Sequence, residues 1–88
     1  MKLIVKENYE RLIGVYEHII SIYNVACECN DENAWADAYD TIFGGDYCRI
    51  VHECVPSFNW CDPDASYQDD VCAFVQALEE LMDNIKVL

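Results

Sequence analysis

Apolar side chains return at helical spacing over four separate stretches of this chain, and that periodicity constrains the fold more than any other feature. The longest stretch carries Tyr9, Leu12, Ile13, Tyr16, Ile19, Ile20, Tyr23, Ala26 and Cys27 at steps of mostly three or four residues, which places them on one face of a helix. Val15, Ile22 and Cys29 recur every seventh residue beside that face and widen it, while Glu10, Arg11, Glu17, His18, Ser21 and Asn24 fall on the wet side. So wide a face predicts a central helix with neighbours on two sides. Asn8 stands ahead of it as the expected N-cap.

A second helix is predicted from Asn30 or Asp31 to Phe43, with Ala34, Trp35, Ala38, Tyr39, Ile42 and Phe43 turned inward. Gly44-Gly45 ends it, because glycine takes the left-handed conformation of a helix terminus at little cost. Asp46 is placed to cap a short third helix bearing Tyr47, Ile50, Val51, Cys54 and Val55, which Pro56 stops. Residues 56–65 hold both prolines and two large aromatics, Phe58 and Trp60, and read as a loop that must itself be packed down. Ser66 restarts helix with Asp69 at the third position, a short capping box, and the last helix is expected to run through Val71, Phe74, Val75, Leu78, Leu81 and Met82 to Ile85. The expected fold is all-α: a compact bundle of about four helices, one of them short, with an aromatic, proline-containing loop before the last. Trp35, Tyr39, Phe43, Phe58, Trp60 and Phe74 are the expected bulk of the core or its rim.

At 88 residues the chain fits one domain, and a hydrophobic fraction of 53% is ample for its core despite the charge. No stretch approaches a membrane span, and no export signal is evident at Met1-Lys-Leu-Ile-Val. A cytoplasmic setting is therefore expected, with most of the six cysteines free.

Charge narrows function further. Seventeen Asp and Glu face five Lys and Arg, a formal net charge of -12. No basic residue lies between Arg11 and Arg49, nor between Arg49 and Lys86. Nucleic acid and anionic membrane are disfavoured as direct ligands, since their phosphates would be repelled, whereas a basic protein surface would be attracted.

Three constellations invite chemistry, and none fits well. Asp62-Pro-Asp64 with Ser66, Gln68 and Asp70 has the alternation of a calcium loop, but the sixth position is Tyr67 and the twelfth Ala73, where glycine and a bidentate glutamate are needed. Cys27, Cys29, Cys48, His52, Cys54, Cys61 and Cys72 lack paired zinc-knuckle spacing, and Cys27, Cys54 and Cys72 fall on or beside apolar stripes where thiols act as small hydrophobes. Cys48 and His52 are four apart on the short helix, yet no third orienting group or oxyanion site accompanies them. The chain is therefore expected to be no enzyme and to carry no cofactor and no metal.

The carboxylates give the sharper expectation. Glu28, Asp31, Glu32, Asp37, Asp40 and Asp46 follow one another along the second helix and its flanks, and Asp62, Asp64, Asp69 and Asp70 cluster where the last helix begins. Charges one or two helical turns apart are separated by about 5 to 11 Å, a range overlapping that of successive phosphates on a nucleic-acid strand. A surface made only for solubility usually mixes both signs, and this one scarcely does. These ten acids, with Trp60, are the candidate partner-binding residues.

The stretch Phe58-Asn-Trp-Cys-Asp-Pro-Asp-Ala-Ser-Tyr-Gln-Asp-Asp-Val-Cys-Ala-Phe-Val-Gln-Ala-Leu, about a quarter of the chain, resembles a segment of small acidic phage and prophage proteins, most visibly at Trp60, Asp62-Pro-Asp64, Ser66-Tyr67 and Asp69-Asp70-Val71. The resemblance implies an anti-defence context. Such proteins include antirestriction and anti-CRISPR proteins, some of which imitate nucleic acid, so the implied partner is a CRISPR effector or a restriction enzyme. A second expectation is an interaction module or homo-oligomer that uses Phe58 and Trp60 as its anchors, the acids serving only solvation. A third, a thiol or metal enzyme, would need Cys48, Cys54 or Cys61 to be accessible.

Overall fold

The computed structural model describes residues 2–60 and 64–87. Among them are four helices, α1 (Lys6–Cys29), α2 (Glu32–Gly44), α3 (Tyr47–Cys54) and α4 (Tyr67–Asn84), and two short strands, β1 (Lys2–Ile4) and β2 (Ile85–Val87). The fold is the all-α bundle that the periodicity predicts. α2 packs most extensively on α4 and α3 on α1, in a body of 41 × 22 × 20 Å.

Burial follows the apolar stripes. Leu12 and Ile19 of α1, Ile42 of α2, Val51 of α3 and Val71, Phe74 and Leu78 of α4 are all fully enclosed. Around Phe74 the rings of Phe43, Phe58 and Trp60 stand 5.3, 6.1 and 5.2 Å away, each edge-on to it, while Trp60 stacks on Phe43 at 5.4 Å. The proline-containing loop is held down by this cluster. Phe58 is 6% exposed and Trp60 half-buried, so the rings proposed as interface anchors are committed to packing.

Several termini differ from expectation. α1 begins at Lys6 after an extended Val5, and the Tyr9 amide already bonds the Val5 carbonyl at 3.0 Å, so Asn8 lies inside the helix and is not its cap. The cause is β1, which carries Ile4 into the core and delivers the chain to the helix two residues early. α4 stops at Asn84, whose side-chain amide donates to the Glu80 carbonyl at 2.8 Å, and Ile85 turns into β2. β1 and β2 pair in parallel, Leu3 opposite Lys86 and Ile4 opposite Val87. Strands of three residues are too short to show an alternation that a sequence pattern can register.

Gly45 ends α2 in an extended conformation, not the left-handed one. A Cβ there would lie 3.0 Å from the Thr41 carbonyl oxygen, a tight contact that would require the turn to give slightly. Asp46 precedes α3 but its side chain makes no cap bond, pairing instead with Arg49 at 3.5 Å. Cys27 and Cys29 are exposed, not buried on the α1 stripe, whereas Cys54 is buried as expected. Ser66 caps α4 as the sequence predicts, accepting from the Asp69 amide at 3.1 Å.

Truncating Phe74 to Ala removes the common partner of three rings and should lower the unfolding free energy by about 3–5 kcal/mol. Ser66→Ala removes one cap bond and should lower it by about 1 kcal/mol. Urea unfolding followed by far-ultraviolet circular dichroism reads both; losses of equal size would contradict the central place given to Phe74.

Candidate functional site

The site is built by two turns that bring helix N-termini together. Asn30 closes α1 in the left-handed conformation, φ 48° and ψ 43°, with its amide on the Ala26 carbonyl at 2.7 Å. Asparagine tolerates that conformation better than most residues. The chain reverses at once, and Asp31 caps α2, its Oδ1 accepting from the Ala34 amide at 2.8 Å. The Asn30 side-chain oxygen also accepts from the Trp35 indole at 3.5 Å, tying the turn to the core. Across from it Ser66 opens α4.

Between these two helix starts lies a cleft of about 610 Å³. Its carboxylates are Asp31, Glu32, Asp64 and Asp70, its neutral polar groups belong to Asn30, Ser66 and Gln68, and its aromatic walls are Trp35, Tyr39 and Tyr67. The Tyr39 and Tyr67 rings stand 5.0 Å apart, tilted by 55°. Among the described residues no Lys or Arg lines it.

The positive ends of two helix dipoles work against this charge. Each amounts to roughly half an elementary charge, so together they offset about one of four carboxylates. Even with the buried Asp70 counted as neutral, the cleft remains negative by about two charges. An ammonium or guanidinium group would be stabilised there by the carboxylates and by the faces of the aromatic rings.

Of the predicted site residues, the fold brings Asp31, Glu32, Asp64 and Asp70 together. Asp70 is a correction to the expected surface cluster: it is 5% exposed and forms part of the cleft floor, because it falls one position before Val71 on the face of α4 that enters the core. Asp69 is exposed in the first turn of α4. Glu28 and Asp40 are exposed on α1 and α2. Asp37 lines a separate groove between α1 and α2, and Asp46 is held by Arg49. Asp62 lies outside the described residues, as does Cys61. Trp60 is half-buried against Phe43 and Phe74.

The chain's two arginines are engaged elsewhere. Arg11 of α1 and Arg49 of α3 both reach Glu53, at 2.9 and 2.6 Å, and they hold its carboxyl below the usual range, Arg11 first. Sequence spacing within α3 shows the Arg49–Glu53 pair, four residues apart; nothing in it signals Arg11. The aromatic walls were also missed as site residues, because Tyr39 and Tyr67 occur at core-like spacing and only the tertiary fold turns them into a wall. Further carboxylates, Glu79, Glu80 and Asp83, are exposed along the last turns of α4, and the charges of Glu79 and Asp83 add to burial in raising Tyr16.

Burial pushes the Cys48 and Cys54 thiols up, away from the reactive thiolate, and the His52 ring packs edge-on to Phe58 at 6.0 Å. Among the described residues no group of three His, Cys, Asp or Glu side chains is placed to hold a metal ion. α4 begins at Tyr67, inside the stretch with calcium-loop alternation. No helix among the described residues is long and apolar enough to cross a membrane.

Compared with known proteins, the chain matches no family model, no curated sequence and no solved structure.

Proposed function

We propose that this protein is an anti-defence inhibitor: it binds a basic groove of a nucleic-acid-handling bacterial protein, a CRISPR effector or a restriction enzyme, and competes there with nucleic acid. The observation that carries this proposal is the cleft between the starts of α2 and α4. There the fold concentrates Asp31, Glu32, Asp64 and Asp70 beside aromatic walls, without a lining lysine or arginine. A surface serving solubility alone has no need of such concentration. The resemblance of residues 58–78 to phage proteins supports the same direction.

Attraction between a chain of net charge -12 and a cationic groove accelerates encounter and is screened by salt. A basic side chain from the groove would enter the cleft, while Glu28, Asp37, Asp40 and Asp69 meet the surrounding cationic surface. An interaction module anchored on Phe58 and Trp60 is less well supported, because Phe58 is buried and Trp60 is stacked on Phe43.

The test uses guide-loaded CRISPR effectors and restriction endonucleases, each bound to fluorescently labelled target DNA. Adding the protein should displace DNA from its target enzyme, with affinity falling at least ~10-fold as monovalent salt rises from about 50 to about 200 mM. The double variant Glu32→Lys, Asp64→Asn should lose roughly 10-fold in affinity at low salt, and Asp46→Asn, whose carboxylate is already paired with Arg49, much less. Displacement that ignores both salt and the double variant would refute nucleic-acid competition through the cleft.

A further inference from the structure

We propose that the cleft between α2 and α4 is an arginine site: its aromatic wall takes the flat face of a guanidinium group and its carboxylates take the N–H edge, so that arginine is selected over lysine. This rests on the proposed entry of a basic side chain of the partner into the cleft, and it names that side chain.

The wall is a product of helix geometry. Asp31, Trp35 and Tyr39 follow one another at steps of four along α2 and its cap, so they share one face, with neighbours about 5–6 Å apart. From α4 Tyr67 meets this row, its ring 5.0 Å from that of Tyr39 and tilted by 55°. Trp35 is only 5% exposed, whereas Tyr39 is half-buried and Tyr67 45% exposed. The ring surface open to a ligand therefore belongs to the two tyrosines. Acid stands at one end of the row and aromatic surface at the other, and both line a single cavity of about 610 Å³. Such a volume admits a whole side chain.

This arrangement separates three kinds of cation. A quaternary ammonium is held by an enclosing cage of rings, but here the two tyrosines meet in one wall and the rest of the lining is mostly carboxylate, hydroxyl and amide. A primary ammonium is a compact, strongly hydrated charge, which pairs with carboxylates but has no flat face to lay on the wall. A guanidinium is planar and more weakly hydrated; it stacks on ring faces while the N–H groups in its plane pair with carboxylates. Rings and acids in one cavity match both of its parts. Because the tyrosines are tilted against each other, only one can lie parallel to the bound group. Tyr67, the more exposed of the two, is assigned to stacking.

The test uses the full chain alone with a capped pentapeptide, Gly-Gly-Xaa-Gly-Gly, whose central residue is arginine, lysine or the uncharged isostere citrulline. Nitrogen-15 NMR follows the chain's two indole N–H groups. That of Trp35 bonds Asn30 in the cleft lining, whereas Trp60 is stacked on Phe43 outside that lining and serves as the internal control. The arginine peptide should shift the Trp35 signal and leave that of Trp60 in place, with an affinity at least ~3-fold that of the lysine peptide at equal ionic strength; the citrulline peptide should shift neither. Tyr67→Leu, which keeps apolar bulk against Tyr39 but removes the ring, should bring arginine and lysine to equal affinity, and Glu32→Gln should weaken both together. Equal binding of the two peptides by the native chain, a preference that survives in Tyr67→Leu, or a Trp35 signal that stays fixed up to ~50 mM arginine peptide would each overturn the proposal. Arginine preference in a chain that displaces DNA from no enzyme would leave the site standing and remove the proposed function, whereas displacement of DNA by a chain whose Trp35 signal ignores the arginine peptide would remove the site.

Discussion

Phe74 is the contact through which the rest of the structure is positioned. It is fully buried on α4, and it receives Phe43 from α2 and Phe58 and Trp60 from the loop that precedes α4. This cluster holds residues 58–60 against the bundle. With it, the start of α4 is carried alongside the start of α2, and the cleft between them follows. The site is thus a consequence of core packing, while its chemistry comes from residues that the core does not need.

That chemistry opposes the stability of the fold. Asp37 and Asp40, three apart on α2, repel each other by about 0.2–0.5 kcal/mol, and the last turns of α1, α2 and α4 contain no basic residue to meet the negative ends of their dipoles. The helix starts partly compensate, since Asp31 bonds a free amide of α2 and Asp69 sits in the first turn of α4. Some acids are therefore explained by capping alone. Glu32 gains the same favourable dipole in the first turn of α2, yet it and Asp64 both add charge to a cleft that is already negative.

Helix content, the Ser66 cap, the packing of Phe58 and Trp60 and the aromatic core are all legible in the sequence, because each depends on residues within a few positions of one another or on an apolar period sustained over several turns. What was illegible depends on distant pairing. The β1–β2 ribbon joins residues more than eighty positions apart, and it moves both the start of α1 and the end of α4. The list of acids was readable as a list, but not the division among them. Asp70 goes inside because it shares a face with Phe74, Asp46 is claimed by Arg49, and Asp37 faces another groove. Periodicity assigns a residue to a face; only the docking of helices decides which faces meet.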